Sequence, residues 1–175
     1  MEKPFSQSYW FHEGLLCAGC YPGDLVPLER DRKLRGLLDC GIIRVLNLMA
    51  VDEKSGGHAF EPYLPLLQTL AVERGISVEG LRLSITDASV PTPDKMRKIL
   101  DTLDTFLEKR LPTYLHCWGG HGRTSTVVGC YLIRHGRTAA QAFEQIRQWR
   151  VALHKNHDPF EGGQRRFIEA WSEHD

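Results

Sequence analysis

The sequence predicts an α/β domain with a mostly parallel central sheet of four to five strands, flanked by helices. Three observations carry that expectation. Short apolar or β-branched runs, of which IIRVLNL at 42–48 is the clearest, recur between longer segments whose apolar residues fall at spacings of three and four. The two kinds of segment alternate along the chain, which is the pattern of parallel strands joined by helical crossovers. A chain of 175 residues can also cover both faces of such a sheet, since a domain of about 150 residues buries roughly 70% of its unfolded surface.

One domain is expected over 1–175, with an arm at 1–13 in which Phe5, Tyr9, Trp10 and Phe11 supply packing surface. Residues 15–19 read as an edge strand, closed by the turn Tyr21-Pro22-Gly23-Asp24. Leu28, Leu34, Leu37 and Leu38 make a helical stripe ending near Gly41, a residue suited to a C-terminal cap. After the strand at 42–48, the polar, glycine-containing stretch 49–60 reads as a loop, with Glu53, Lys54 and His58 solvated or, alternatively, reaching a substrate. The spacing then predicts a helix over 64–74, stopped by Gly75, and a strand over 77–85.

In the second half, Thr92 is placed to cap a helix that has Pro93 at its first position and Asp94 facing its positive end. Met96, Ile99, Leu100, Leu103, Phe106 and Leu107 form its buried stripe. Residues 113–116 are β-prone, and 127–133 are apolar on nearly all sides, so a central buried helix is expected there, with Cys130 as packing. Gly136 and Arg137 interrupt the chain. A helix follows with Ala142, Phe143, Ile146 and Trp149 inward, and a last one over 162–171 buries Phe167, Ile168 and Trp171.

Composition narrows the function classes. Lys+Arg and Asp+Glu both number 22, and no long run of one sign occurs, which argues against a nucleic-acid or polybasic membrane partner. The first residues lack the apolar centre of a signal peptide, and the longest mostly apolar run, 126–133, falls short of the ~20 residues of a membrane-spanning helix. A soluble, cytoplasmic monomer is the expectation. Five cysteines without regular spacing suit a reducing compartment. Cys17 and Cys20 suggest redox or zinc chemistry, but alternation along a strand would send them to opposite faces and no second pair completes a metal site. His154 and His157 likewise lack a third ligand, so neither metal nor cofactor is expected.

The chemistry concentrates in 113–133, TYLHCWGGHGRTSTVVGCYLI. Gly119, Gly120 and Gly122 permit positive φ and tight curvature, so that successive N–H groups can face one small volume in front of a helix N-terminus. That cradle suits a tetrahedral anion, and its electropositive character favours Cys117 as thiolate. Arg123 returns to the rim, where its planar fork matches two phosphate oxygens, and Thr124 is placed to give its hydroxyl to the sulfur. A nucleophile of this kind needs a proton donor for the leaving oxygen and a base for water. Asp87, on a loop after a predicted strand and before a helix, is the residue expected to serve as both.

His116-Cys117-Trp118-Gly119-Gly120-His121-Gly122-Arg123-Thr124 resembles the H-C-x5-R-[S/T] signature of the cysteine-dependent protein tyrosine phosphatase superfamily, and LLCAGCYPGD looks like the first strand and turn of its small, bacterial-type dual-specificity branch. The resemblance implies a phosphocysteine intermediate, with Cys117, Arg123, Asp87 and Thr124 catalytic and Trp118, Gly119, Gly120, His121, Gly122 and Arg123 around the bound phosphate. It also implies that Gln164, near the start of the last helix, matches the glutamine that positions the hydrolytic water in some relatives. Ile85-Thr86-Asp87 stands where the tyrosine-specific branch has Trp-Pro-Asp, and no Lys-Asn-Arg-Tyr segment walls a deep pocket. A shallow cleft is therefore expected, open to phosphotyrosine and to phosphoserine or phosphothreonine in proteins, or to a small phosphomonoester.

Three alternatives stay open on the residues. An inositol-phosphate or phosphoinositide phosphatase would line the loop with lysines, where this chain has Trp118 and His121, a protonated His121 being a partial substitute. A phospho-binding module without turnover would be expected to have lost Cys117 or Asp87. A sulfur-transfer protein would leave Arg123, Thr124 and Asp87 without a role.

Overall fold

The computed structural model describes residues 2–151, 153, 158–160 and 162–172. Its strands are β1 (Ser8–His12), β2 (Leu16–Gly19), β3 (Arg44–Asn47), the two-residue pair β4 (Lys54–Ser55) and β5 (His58–Ala59), β6 (Glu79–Arg82) and β7 (Thr113–His116). The helices are α1 (Pro27–Asp39), α2 (Leu64–Val72), α3 (Pro93–Glu108), α4 (Gly122–Arg134), α5 (Ala139–Val151) and α6 (Gly162–Glu169). Five strands join in the order β1-β2-β7-β3-β6, all parallel except β1, which pairs antiparallel with β2. The last strand in the chain thus lies at the centre, and its C-terminal end opens where parallel sheets bind ligands.

Alternation along the strands builds a core on each face. Leu16, Ala18, Leu46, Leu48 and Leu115 turn to one side and meet the apolar faces of α3, α4, α5 and α6. Cys17, Val45 and Tyr114 turn to the other and meet Leu34, Leu37 and Leu38 of α1 and Leu67, Leu70 and Ala71 of α2. Helix α4 is buried from Arg123 through Leu132, as its apolar composition requires. Thr92 caps α3, its Oγ1 accepting from the Lys95 N–H at 3.3 Å, and Gly41 and Gly75 leave α1 and α2 at φ 75° and 71°.

Several expectations change. The arm contains β1, so the strand at Leu16–Gly19 is interior and β1 is the edge; a contiguous aromatic run hid the alternation in which Tyr9 and Phe11 are buried. Leu28 is exposed, leaving Leu34, Leu37 and Leu38 as the buried stripe of α1. The loop at 49–60 carries the hairpin β4–β5, turned by Gly56 and Gly57 at φ 56° and 83°. Cys17 and Cys20 do not face opposite ways: β2 ends at Gly19, alternation lapses, and both thiols, outside any disulfide, pack in the core against α1 and α2. Burial raises the Cys17 thiol far above its ordinary range, which suits packing rather than redox chemistry. His154 and His157 lie outside the described residues, and among those residues no group of His, Cys, Asp and Glu is placed to hold a metal ion.

Leu46, fully buried on β3 against the larger core, gives a direct check. Leu46→Ala should cost about 2–5 kcal/mol, read as a fall in the urea midpoint. A loss below about 1 kcal/mol would mean that the core is not seated on β3.

Candidate active site

β7 delivers Cys117 at its C-terminal end, and the chain crosses over the end of β2 before entering α4. The crossing is close: a Cβ on Gly120 would lie 2.7 Å from the Cys20 nitrogen, and Gly120 has φ 66°. Tyr21 ties the two segments by donating its N–H to the Trp118 carbonyl at 2.7 Å. Of the loop glycines, Gly120 has positive φ, whereas Gly119 and Gly122 serve by leaving space. A side chain on Gly119 would strike the His121 ring, and one on Gly122 the amide of Gln164.

Thr124 is bonded twice to the cysteine. Its hydroxyl oxygen accepts the Cys117 N–H at 3.0 Å and it donates to Cys117 Sγ at 3.0 Å. Arg123 is 3% exposed, and Glu53 grips it bidentately, with Nη1 to Oε2 at 2.6 Å and Nη2 to Oε1 at 2.7 Å. The same Nη2 lies 2.8 Å from Asp87 Oδ1, and Nη1 donates to the Ile85 carbonyl at 3.3 Å. Burial alone would lower the charge state of Arg123, but hydrogen bonding to Glu53 and the charges of Cys117 and Asp87 overcome it and raise its pKa. Glu53 in turn is held below the usual carboxylate range by Arg123, against the opposing effect of burial.

A second chain of bonds fixes the loop from beneath. His116 is fully buried between the Tyr63 hydroxyl, 2.6 Å from Nε2, and the Cys117 carbonyl, 2.9 Å from Nδ1. A carbonyl can only accept, so Nδ1 carries the proton and Nε2 accepts from Tyr63. Desolvation lowers the His116 pKa to about 4, while burial raises Tyr63 well above its ordinary value. Both stay neutral, and the relay runs Tyr63 to His116 to the Cys117 carbonyl.

Asp87, Ala88, Cys117, Trp118, Arg123, Gln164 and their neighbours line a cavity of about 400 Å³. Asp87 sits at its mouth with 61% of its side chain exposed, beside Ala88 at φ 53°. Gln164 is buried in its wall. Trp118, 47% exposed, divides this cavity from a groove of about 530 Å³ that it shares with Tyr21, Phe60 and His121. Of the residues expected at the site, all but Gly120 and Thr124 line this cavity; Gly120 packs against the backbone of Gly19 and Cys20, and Thr124 is fully buried beside Cys117. Glu53, read as solvated or able to reach a substrate, is the partner of Arg123, held on the turn after β3 where its Oε2 accepts the Ala50 N–H at 3.2 Å. Arg150 on α5 was not anticipated: it is 1% exposed and its Nη1 lies 2.7 Å from His121 Nδ1. Its spacing of four from Ile146 on the inward stripe is the signal that places it there.

His116 gives the site a pH signature. Its folded pKa lies near 4, below the 6.5 of the free side chain, so the unfolded chain binds the extra proton between those values and stability must fall as pH falls through them, by up to about 1.4 kcal/mol per unit. Unfolding at pH 7 and pH 5, with the His116 ring followed by NMR, checks this. A ring that titrates near 6.5 would overturn it.

The chain spans about a quarter of one curated relative: the phosphatidylglycerophosphate phosphatase PTPMT2 of Arabidopsis thaliana is 46% identical over 63 residues, 34% of this chain and 25% of that protein. Among solved structures, kinase associated phosphatase (KAP), with its catalytic-site cysteine replaced by serine, aligns at TM-score 0.67 and 22% identity over 87% of this chain and 83% of that one. PTPMT1 in complex with PI(5)P gives 0.65 and 21% over 93% and 92%. The core catalytic domain of the PP-IP phosphatase SIW14 from S. cerevisiae gives 0.68 and 15% over 100% and 90%. These structures share the fold. The family model described as a polymorphic toxin system DSP-PTPase phosphatase matches residues 29–137, more than half of the chain. The chain therefore belongs to that family of cysteine-dependent tyrosine and dual-specificity phosphatases.

Proposed function

We propose that the chain hydrolyses phosphomonoesters through a phosphocysteine on Cys117, with phosphotyrosine in proteins as the preferred substrate and phosphoserine and phosphothreonine also admitted. The observation that carries the reading is the pairing of Cys117 Sγ with the Thr124 hydroxyl at 3.0 Å in the cavity that also holds Arg123 and Asp87.

In the first step the Cys117 thiolate attacks phosphorus. The S–P bond forms, the P–O bond breaks, and Asp87 gives its proton to the leaving oxygen. Arg123 and the loop N–H groups of residues 118–123 hold the equatorial oxygens, where charge develops. On substrate entry a phosphoryl oxygen replaces Asp87 at Arg123 Nη2, and Asp87 turns to the leaving oxygen. Glu53 keeps the guanidinium plane aligned throughout. In the second step water placed by Gln164 loses a proton to Asp87 and attacks phosphorus, and the S–P bond breaks toward a thiolate that Thr124 stabilises. None of these steps calls for a metal or cofactor.

Trp118 and the aromatic wall of Phe60 and Tyr21 support an aryl leaving group. Trp118 meets Phe60 edge-on at 5.9 Å between centroids, and Phe60 meets Tyr21 at 5.0 Å. A second reading, a phosphoinositide or inositol-phosphate substrate, is favoured by the PI(5)P bound to PTPMT1 and by the name of SIW14. Against it, Arg123 shares the cavity lining with two carboxylates, Asp87 and Asp158. The reading further takes residues 1–175 as one phosphatase domain, active as a cytoplasmic monomer without nucleic-acid or membrane partners. Five cysteines that form no disulfide support a reducing compartment, and no helix among the described residues is long and apolar enough to cross a membrane.

Phosphate release from phosphotyrosine, phosphoserine and phosphothreonine peptides, beside a phosphoinositide and inositol hexakisphosphate, tests the substrate; preference for the inositol compounds would reverse the assignment. Cys117→Ser should abolish turnover while the protein still binds phosphate, and substantial residual activity would remove Cys117 as nucleophile. Asp87→Asn should slow an alkyl phosphate far more than an activated aryl phosphate, with equal losses pointing to another acid. Glu53→Gln should lower kcat/KM by roughly 10²-fold through misalignment of Arg123, and a rate within twofold of wild type would deny Glu53 that role.

A further inference from the structure

We propose that Arg150 is a positioning residue that holds His121 as the neutral tautomer protonated on Nε2, and thereby sets the phosphate loop for substrates with one phosphate rather than several. The specificity part rests on the phosphatase reading above; the tautomer part stands on geometry alone.

His121 is the ionisable residue at the variable positions of the loop, and it borders both the catalytic cavity and the groove beside it. A positive charge there would lie where a second phosphate on the substrate would reach. Arg150 Nη1 lies 2.7 Å from His121 Nδ1. A guanidinium is always charged and has donors only, so Nδ1 must accept, and the ring proton is on Nε2. An imidazolium would set a second N–H against the guanidinium at that distance, two donors and two positive charges together.

The rest of the surroundings push the other way. On the cavity side His121 shares its lining with Cys117, Arg123, Asp87 and Asp158. On the groove side it faces Cys20 and Tyr21, an Asp24–Lys33 ion pair closed at 2.8 Å, and His58 and Glu61. Among these described residues carboxylates and a thiolate outnumber the fixed cations, an environment that would draw a proton onto an unrestrained histidine. Arg150 opposes it from behind. It is 1% exposed; burial lowers its pKa from the ordinary arginine value, against the opposing charges of Tyr9, Asp158 and Cys117, and a guanidinium still keeps its proton inside a protein.

The chain length of the side chain matters. From α5 the guanidinium reaches the loop across the core, and the ring it meets lies folded against Gly119, whose missing Cβ leaves the room. Tautomer, ring position and loop curvature are set together.

Long-range ¹H–¹⁵N spectra of the full chain, taken from pH 5 to 8, test the first part. The His121 ring should show an unprotonated Nδ1 and a protonated Nε2 throughout in wild type, and in Arg150→Met it should titrate near or above the ordinary ~6.5. The second part is read from kcat/KM for an inositol bisphosphate divided by that for phosphotyrosine. On lowering the pH from 8 to 5.5 this ratio, normalised to wild type, should rise severalfold in Arg150→Met and lose the rise in Arg150→Met with His121→Asn. A wild-type ring that titrates near 6.5 would overturn the proposal, even if Arg150→Met fails to fold. A normalised ratio that stays flat while the variant's His121 titrates would overturn the specificity part. A wild type that turns over neither substrate would instead overturn the phosphatase reading and leave the tautomer to the spectra.

Discussion

A guanidinium taken almost wholly out of water keeps its charge at tolerable cost only when its donors are matched by carboxylates in the right plane. Arg123 meets that condition through Glu53, and much of the architecture follows from it. The turn after β3 places Glu53 there: its Oε2 accepts the Ala50 N–H at 3.2 Å, and Arg82 donates to the Met49 and Ala50 carbonyls. The pair also leaves Nη2 within reach of Asp87 at the cavity.

The loop itself is held from three directions by different physics. From below, the Tyr63–His116 relay fixes the carbonyl of Cys117 with two groups kept neutral by burial, their protons placed by that carbonyl's being an acceptor only. At its outer limb, Gly120 lies against the backbone leaving β2, an approach that tolerates no side chain. From behind, Arg150 reaches the His121 ring. Each contact ties a different secondary element to the same nine residues, so the loop's shape is a property of the whole fold rather than of its glycines.

What was legible in the sequence was what is contiguous or periodic. Cys117, Arg123 and Thr124 declare themselves by spacing within one turn, and α3 by its cap and stripe. Asp87 could be placed because a loop between a strand and a helix at that edge of a parallel sheet has few destinations. Glu53, Tyr63 and Arg150 act through distance in space, and nothing adjacent to them in the chain marks their partners; Arg150 alone carried a trace, at the inward spacing of α5. β1 escaped notice because consecutive aromatics at 9–11 mask the period of two. His121 was read only as a partial substitute for a lysine when protonated, and its partner Arg150 lies 29 residues further along the chain, where no local pattern links the two.

The central position of β7 bears on how the molecule assembles. β2 and β3 are neighbours in sequence among the main strands but do not pair with each other; β7 lies between them, bonded to both. Until Thr113–His116 has been made and inserted, the sheet has a vacant slot with two unsatisfied edges, and the contacts that close it span a long stretch of chain. Such non-local pairing slows folding, and open edges favour association with other chains. The nucleophile follows immediately on the strand that fills the slot, so a reactive cysteine in its cradle arises only as the sheet closes, and an incompletely folded chain has no site to misuse.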